Sequence, residues 1–387
     1  MATEKINIEK FLELAKQYPV LDVRSPGEYY HAHIPGAYSL PLFTDEERKI
    51  VGTTYKQQSR ELAIKTGLDF FGSKMRKMVE EVESLSISHK PSVAMMADDR
   101  KPLTGEMAND QCKTNIVLVH CWRGGMRSGA VSWLLDIYGF KVYTLAGGYK
   151  KFRNYVLDTF KHPFQLKILG GYTGSGKTEL LNTLKGRGET VVDLEDLANH
   201  KGSAFGSIGL SKQPGQEMFE NLLGCQLRGV AYPANTNTPT PDNRHLTTSI
   251  WLEDESQRIG QIHIPKDLWS TMRQSTLYFL DIPFEERLQH IAQEYGQLDK
   301  EKLIEAITRI SQKLGNLNAK MSILLLKEGK IAESFEILLK YYDKFYFKSL
   351  HNREDTNSLL QTITCKSVTP ENASQLIAQS EYLQQTT

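Results

Sequence analysis

Residues 169–178 read Leu-Gly-Gly-Tyr-Thr-Gly-Ser-Gly-Lys-Thr. The glycines allow the chain to curl so that consecutive backbone N–H groups converge on phosphate oxygens, and a following helix adds the positive end of its dipole. Gly171, Gly176, Lys177 and Thr178 have the spacing that such a loop requires. Because an apolar run precedes the loop and a helical period follows it, the stretch predicts a buried strand, a phosphate-binding loop and a helix of an α/β domain.

The residues of this loop have separate expected roles. Lys177 is expected to reach a terminal phosphate, and Thr178 to hold a Mg²⁺ ion if one is used. Two acids after a later strand-like run, Asp193 and Glu195, could each supply a second metal ligand or cap the strand end, and Asp281 is the next candidate. We assign the metal to Thr178 and Asp193. The predicted phosphate-binding residues are Gly171, Thr173, Gly174, Ser175, Gly176, Lys177 and Thr178.

A second motif, His-Cys-Trp-Arg-Gly-Gly-Met-Arg-Ser, occupies residues 120–128. It places Cys121 at the mouth of a tight loop that Arg127 closes. Loop amides and the charges of Arg123 and Arg127 favour the thiolate, and a thiolate can attack sulfur, selenium or phosphorus. Because tyrosine-phosphatase-like and rhodanese-like loops share this spacing of cysteine and arginine, the spacing alone leaves the reaction open. The predicted catalytic residues are Cys121, Arg123, Arg127 and Lys177.

The composition argues against several classes of protein. With 387 residues the chain is long enough for two or three domains, and a net charge of +1 gives no global positive field for nucleic acid. We find no apolar run of about 18 residues and no apolar leader, so we expect neither a membrane span nor a secretion signal. The cysteines are far apart, which argues against a disulfide framework or a structural zinc site and favours a reducing cytoplasm. They are Cys112, Cys121, Cys225 and Cys365.

Strand-like and helical segments alternate along most of the chain, which predicts parallel sheets with helices on both faces. A Lys-His-Pro hinge at residues 161–163 separates two such domains. Two polar segments without a clear period are expected to be surface loops. The predicted organisation is a first domain at 1–160 with an insert at about 87–114, a second domain at 161–350 with a loop at 231–247 and mostly helices from 284 onward, and a C-terminal extension at 351–387.

The first domain resembles rhodanese domains. Residues 21–29 read Leu-Asp-Val-Arg-Ser-Pro-Gly-Glu-Tyr, and His-Ile-Pro-Gly-Ala follows at 33–37. Gly-Gly-Tyr at 147–149, after a later predicted strand, also fits this signature. Some polar residues of these motifs are expected to form a buried network and a turn anchor rather than to catalyse. They are Asp22, Arg24 and His33.

Six further motifs lie at residues 41–48, 51–58, 202–206, 213–221, 252–256 and 341–343. Together with the two loops, they give the whole chain a resemblance to the tRNA 2-selenouridine synthase family. The resemblance covers most of residues 5–350, and its motifs are specific. It implies an α/β fold in which a rhodanese-like parallel-sheet domain is followed by a P-loop NTPase-like α/β domain with a helical C-terminal part.

The resemblance implies a transferase that acts on 2-thiouridine at the wobble position of the tRNA anticodon loop. The enzyme first geranylates the sulfur with geranyl diphosphate and then replaces the geranylthio group with selenium from selenophosphate. Loop amides, Lys177 and a Mg²⁺ ion held by Thr178 would stabilise the departing diphosphate. Cys121 would accept or position selenium, while Arg123, Arg127 and the loop amides hold selenophosphate.

Two charged stretches have open roles. Residues 150–153, Lys-Lys-Phe-Arg, either contact tRNA phosphates or form a solvated helix face. Glu253, Asp254 and Arg258 follow a strand-like run, and the resemblance places them near the site without giving them a role.

Three other functions fit parts of the sequence. The nearest is an ATP-dependent tRNA sulfurtransferase that delivers sulfur from a Cys121 persulfide, which tRNA-stimulated ATP hydrolysis would favour. A phosphatase-like use of Cys121 would show phosphoester turnover, although the motifs at 22–24 and 33–36 argue against it. A nucleotide-switched binding module, whose rhodanese-like domain only senses anions, would behave normally after Cys121→Ser.

Overall fold

The computed structural model of the chain describes residues 3–88, 115–231, 249–351, 353 and 356–386. The inserts predicted at 87–114 and 231–247 lie outside these residues, apart from residues 87, 88 and 231 at helix ends. None of the described helices is both long enough and apolar enough to cross a membrane. The chain divides into two compact units, the first comprising Met1–Thr159 with Glu220–Gly229 and the second Phe160–Phe219 with Val230–Thr387.

A parallel sheet forms the centre of the first unit. Its strands are β1 (Glu4–Ile6), β2 (Val20–Asp22), β3 (Tyr38–Ser39), β4 (Ile116–His120) and β5 (Lys141–Leu145). They lie in the order β1-β5-β4-β2-β3, and every neighbouring pair is parallel. Strand β4 is apolar and buried along almost its whole length, as expected of a strand with helices on both faces of its sheet.

Local capping explains where several helices of the first unit begin. The side chain of Thr44 accepts a hydrogen bond from the Glu47 N–H while the Glu47 carboxylate accepts one from the Thr44 N–H, and Ser59 caps the next helix through the Leu62 N–H. The helices are α1 (Ile8–Leu14), α2 (Pro26–His31), α3 (Asp45–Gln57), α4 (Arg60–Gly72), α5 (Met75–Ser88), α6 (Met126–Tyr138) and α7 (Gly148–Thr159).

A second parallel sheet forms the centre of the second unit. Its strands are β6 (Leu166–Gly171), β7 (Thr190–Val191), β8 (Ile250–Glu253), β11 (Thr276–Asp281) and β12 (Leu360–Thr364). They lie in the order β12-β11-β6-β8-β7, again with every pair parallel. Two short strands, β9 (Arg258–Ile259) and β10 (Ile262–His263), form a separate antiparallel pair. The predicted α/β class with parallel sheets is confirmed.

Helices cover the second sheet and continue into a mostly helical segment, as predicted from residue 284 onward. Buried residues such as Leu303, Leu326 and Leu338 form a hydrophobic cluster within that segment. Helix α10 (Gln216–Ala231) lies mostly in the first unit, which contains Glu220–Gly229. The helices of the second unit are α8 (Lys177–Gly186), α9 (Leu194–Ala198), α11 (Lys266–Arg273), α12 (Phe284–Tyr295), α13 (Lys300–Arg309), α14 (Ser311–Leu314), α15 (Asn316–Lys327), α16 (Ile331–His351), α17 (Thr356–Leu359) and α18 (Asn372–Thr386).

The edge of the second sheet differs from the sequence prediction. We predict residues 351–387 as an extension beyond the domain, but β12 pairs in parallel with β11 along its whole length. Ile363 of β12 and Leu376 of α18 belong to the same buried cluster as Leu180 of α8. The strand gives a weak sequence signal because it is a short edge strand in which Ile363 is the one buried residue.

Replacing Leu376 with alanine tests whether α18 belongs to this core. Leu376 is fully buried, so Leu376→Ala should leave a cavity and lower the free energy of unfolding by about 2–5 kcal/mol. Urea denaturation followed by tryptophan fluorescence measures the change. Leu324→Ala, at an exposed position of α15, should change it by less than about 0.5 kcal/mol. An unchanged stability of Leu376→Ala would show that α18 does not contribute to the core.

Candidate functional site

The cysteine loop joins the end of β4 to the start of α6. Cys121 is buried, its Sγ lies 3.2 Å from Ser128 Oγ, and it accepts a hydrogen bond from the Gly125 N–H at 3.4 Å. The Cys121 carbonyl accepts a hydrogen bond from the Tyr149 N–H at 2.8 Å, which fixes the loop against the next turn. Only glycine fits at Gly148, because its φ is +59° and a side chain there would collide with the same carbonyl.

The surroundings of the Cys121 sulfur favour the thiolate. Burial raises the pKa of a thiol, but hydrogen bonds from the Ser128 side chain and from backbone N–H groups of the loop outweigh it, so the pKa of Cys121 lies below its ordinary value. Burial raises the pKa of Cys225 to about 12 and also raises that of Cys365. Cys121 is therefore the described cysteine best suited to nucleophilic chemistry.

The two arginines of this loop have different surroundings. Arg127 Nη1 donates to Glu28 Oε2 at 2.7 Å, whereas Arg123 is exposed to solvent. Burial raises the pKa of Glu28, but the hydrogen bond and charge of Arg127 outweigh it and keep the carboxyl ionised. We expect Arg127 to place its charge at the thiolate, but Glu28 balances that charge. Hydrogen bonds are therefore the main interaction that stabilises the thiolate. The sequence did not single out Ser128 or Glu28, although both lie within the quoted motifs.

The polar network of the first unit has the expected members. Arg24 donates to both carboxylate oxygens of Asp22, at 2.9 Å from Nε and 2.6 Å from Nη2, and its guanidinium lies 3.8 Å above the ring of Tyr149. His33 Nδ1 lies 3.0 Å from the Tyr29 carbonyl, and the two rings stack. Because Asp22 and Arg24 are completely buried, they stabilise the turn rather than contact a ligand.

The phosphate loop joins the end of β6 to the start of α8, where its spacing predicts it. Gly174 and Gly176 have φ values of +83° and +69°, in the left-handed region that glycine tolerates. A side chain at Gly174 would also come within 2.8 Å of the Arg287 carbonyl. Lys177 Nζ donates to the Gly171 carbonyl at 3.1 Å, so the ammonium group lies against the start of the loop.

Arg287 of α12 supports the middle of this loop. It is buried, donates to the Thr173 carbonyl at 3.0 Å, and pairs with Asp343 of α16 at 2.8 Å. The Ser175 N–H donates to the Tyr172 carbonyl at 3.2 Å and tightens the same turn, while Ser175 Oγ is buried without a hydrogen-bond partner among the described residues. The sequence did not indicate Arg287, because only the folding of α12 brings it to the loop.

Tyr346 of α16 supports the start of the loop. Its hydroxyl accepts a hydrogen bond from the Gly171 N–H at 3.2 Å and donates one to Asp254 at 2.7 Å, and Asp254 also pairs with Arg353. Burial raises the pKa of Tyr346, so the phenol stays protonated and able to donate. Asp254, whose role was open, therefore positions the loop through Tyr346.

Three carboxylates meet beside the phosphate loop. Glu195 Oε2 lies 3.4 Å from Thr178 Oγ1, and the Glu195 N–H donates to Glu253 Oε1 at 2.9 Å. One oxygen each of Glu195, Glu253 and Glu255 lies within 4.8 Å of the others. Burial raises the pKa of Glu195 to about 7 and that of Glu255 to about 8, and it raises that of Glu253 as well. The sequence did not propose Glu255 as a ligand.

The other predicted acids have different hydrogen-bond partners. Asp193, which we assign to the metal together with Thr178, caps α9, where its Oδ1 accepts a hydrogen bond from the Asp196 N–H at 2.9 Å. Glu195, the alternative acid, is the one whose carboxylate reaches Thr178. Asp281 is exposed at the end of β11, and Arg258 donates to a carbonyl within its own turn.

The basic stretch after the cysteine loop is only partly available to a ligand. Arg153 forms hydrogen bonds with Asn221 and with Glu220, and Phe152 is completely buried. Lys150 and Lys151 are exposed. A contact of this stretch with an anionic partner would therefore rest on these two lysines.

Comparison with known proteins gives two family matches. A model described as tRNA 2-selenouridine synthase AAA domain matches residues 164–369, and one described as rhodanese-like domain matches residues 7–155. Proteins named tRNA 2-selenouridine synthase are similar to this chain over most of its length. The protein from Nitrosomonas europaea is 32% identical over 72% of this chain and 63% of its own length, that from Hydrogenovibrio crunogenus is 34% identical over 72% and 68%, and that from Nitrosomonas eutropha is 28% identical over 87% and 89%.

Removal of the Ser128 hydroxyl tests how the thiolate is stabilised. Ser128→Ala should raise the pKa of Cys121, because a hydrogen bond to the charged form is lost. The alkylation rate of Cys121 by iodoacetamide, measured between pH 6 and pH 9 by mass spectrometry of its peptide, should then have its midpoint at higher pH, with the rate on the acidic side of the profile lower by up to about tenfold. Ser132→Ala, one turn further along α6, is the matched control. An unshifted pH profile for Ser128→Ala would contradict this origin of the lowered pKa.

Proposed function

Because this chain belongs to the tRNA 2-selenouridine synthase family, we propose that it replaces the sulfur of 2-thiouridine at the tRNA wobble position with selenium. The reaction has two steps, geranylation of the sulfur and then exchange of the geranylthio group for selenium. The observation that carries the proposal is the presence in one chain of a phosphate loop bordered by carboxylates and of a thiol held among hydrogen-bond donors. The first step needs a diphosphate site, and the second needs a site for a reactive chalcogen.

In the first step the thiocarbonyl sulfur attacks C1 of geranyl diphosphate, the C1–O bond breaks, and diphosphate leaves with the electron pair. The base loses its N3 proton to solvent. Backbone N–H groups of the phosphate loop and Lys177 would bind the departing anion. Mg²⁺ suits the oxygen ligands offered by Thr178 and Glu195, and when bound it would neutralise charge on the diphosphate.

In the second step the selenium of selenophosphate attacks C2 of the base, the C2–S bond breaks, and geranylthiolate leaves with the electron pair. Water then cleaves the P–Se bond, which releases phosphate and leaves selenium on C2. The amides of the cysteine loop and the exposed Arg123 would hold selenophosphate, and the thiolate of Cys121 would position its selenium. Arg127 would contribute by exchanging Glu28 for the phosphate group.

The wobble base lies in a single-stranded loop, so it can turn out and stack on an aromatic or guanidinium plane. Trp122, which is 37% exposed, and Arg123 follow Cys121 directly and offer such planes. Lys150 and Lys151 would contact tRNA phosphates. We place the reaction in the cytoplasm, because the Cys121 thiol must stay reduced.

Mass spectrometry of tRNA nucleosides tests the proposed function. The full-length protein is incubated with thiolated tRNA, geranyl diphosphate and Mg²⁺, and selenophosphate is added afterwards. We expect S-geranyl-2-thiouridine in the first stage and 2-selenouridine in the second. An unchanged base, together with ATP consumption that depends on tRNA in a parallel reaction, would instead favour an ATP-dependent sulfurtransferase.

Replacing Lys177 with alanine should abolish geranylation, because the departing diphosphate loses its positively charged partner. We expect a loss of about 100-fold or more in the geranylation rate, measured by the same nucleoside analysis. Selenation should fail with it, and tRNA that is already geranylated should restore selenation. Lys185→Ala, at the other end of α8, is the control. Normal geranylation by Lys177→Ala would exclude the phosphate loop as the diphosphate site.

Replacing Cys121 with serine should block selenation and leave geranylation intact. The hydroxyl is not ionised at neutral pH, so Cys121→Ser should lose selenation while S-geranyl-2-thiouridine accumulates. Nucleoside analysis measures both products, and Cys225→Ser serves as the control. If Cys121→Ser and Lys177→Ala each lose both activities while remaining folded, this division of labour is wrong.

A further inference from the structure

We propose that the tRNA substrate docks on the outward side of α3, which we call the α3 face and which carries Lys49, Thr53 and Lys56. The choice of tRNA as the partner rests on the proposed function. The face itself is described only by residues of the first unit.

The acidic and basic residues of α3 are separated along the helix. Its three acids lie in the first turn. Asp45 accepts a hydrogen bond from the Gly27 N–H at 2.9 Å. Glu47 pairs with Lys74. From residue 48 to residue 60 the sequence has four basic residues and no acidic one, in a chain whose net charge is +1, so this short segment concentrates positive charge that the composition as a whole lacks. The basic residues are Arg48, Lys49, Lys56 and Arg60.

Helix α3 is anchored on one side and exposed on the other. Val51 packs against the hydrophobic core of the first unit, and none of the residues of α3 is buried. Because successive residues of an α-helix are turned by about 100°, the α3 face points away from the side that carries Val51. Its three residues are exposed, and Lys49 and Lys56 form no salt bridge within the described part of the chain. Both ammonium groups are therefore available to phosphates, at positions about 10 Å apart along the helix axis.

The α3 face is continuous with the positively charged side of the cysteine loop. Arg48, directly before Lys49, has its Nε 3.6 Å from Glu28 Oε2. Arg127 Nη1 of the cysteine loop donates to the same oxygen at 2.7 Å. One carboxylate thus faces two guanidinium groups, and positive charge extends from the loop into α3. An RNA strand whose phosphates follow this charge would bring a neighbouring base to the loop that holds Cys121.

Two features favour RNA over a second copy of this chain as the occupant. In a symmetric dimer formed through this face, the same basic residues would meet and repel one another, whereas RNA phosphates complement them. Tyr55, at the edge of the face, is 52% exposed and offers its ring to an unpaired base, which is how proteins commonly hold single-stranded RNA. Positive charge beside an exposed aromatic ring matches the phosphates and unpaired bases of an anticodon loop.

Fluorescence anisotropy with the full-length protein and a labelled, unmodified tRNA transcript tests the basic part of the face. Lys49→Ala/Lys56→Ala should weaken tRNA binding about tenfold and lower the slope of log K against log salt concentration by about 1.5, because two phosphate contacts are lost. Lys5→Ala/Lys10→Ala is the matched control. It removes the same charge from exposed positions in β1 and α1, and β1 lies at the opposite edge of the first sheet from β3, the strand that precedes α3. Wild-type affinity and slope in Lys49→Ala/Lys56→Ala, or an equal loss in the control, would overturn the proposal.

Variants of Tyr55 test the aromatic part of the surface in the same assay. Tyr55→Ala should weaken tRNA binding about fivefold or more, because an unpaired base loses the ring on which it stacks. Tyr55→Phe keeps the ring and should bind tRNA as the wild type does. Wild-type affinity in Tyr55→Ala, or the same loss in Tyr55→Phe, would overturn the assignment of this surface to RNA.

Competition with polyglutamate distinguishes RNA from an acidic protein as the partner. Unlabelled tRNA should displace the labelled tRNA, and polyglutamate at the same concentration of negative charge should not. Equal displacement by polyglutamate would show a site for polyanions in general and would overturn the proposal. These titrations contain neither geranyl diphosphate nor selenophosphate, so the docking surface and the proposed reaction can each fail without the other.

Discussion

The turn from a parallel strand into a helix is the constraint on which both functional loops depend. Each loop follows a buried strand, β4 or β6, and precedes a helix, α6 or α8. Backbone N–H groups at such a turn lie beyond the ladder of the sheet and before the hydrogen bonds of the helix, so they can stabilise negative charge. The turn closes tightly because Gly124 and Gly176 adopt φ values of +64° and +69°.

The same turn suits different anions because its surroundings differ. In the cysteine loop the negative charge belongs to the chain itself, and the Ser128 hydroxyl lies 3.2 Å from the sulfur. Glu28 balances Arg127, so the loop does not depend on an added anion to compensate that charge. In the phosphate loop the chain places no thiolate of its own, and under the proposed function the anion is the diphosphate of the co-substrate. Under that proposal the first loop suits a nucleophile and the second suits a leaving group.

The sequence predicts both loops well because their residues are contiguous and their spacing defines their shape. It predicts poorly what the tertiary fold brings to them. Tyr346 and Arg287 reach the phosphate loop from distant helices, and the edge strand β12 buries a single residue. The distance of each acid from Thr178 also needed the structure, because α9 begins at Leu194, which makes Asp193 its cap while Glu195 reaches Thr178.

Backbone amide NMR of the full-length protein tests most directly the central claim that two separate loops hold two different anions through their N–H groups. We expect Mg²⁺ with pyrophosphate to shift the amide resonances of residues 172–178 and to leave those of residues 121–127 in place. Thiophosphate, a stable stand-in for selenophosphate, should shift residues 121–127 instead. If the same amides respond to both anions, or if the amides of neither loop respond, the claim is contradicted.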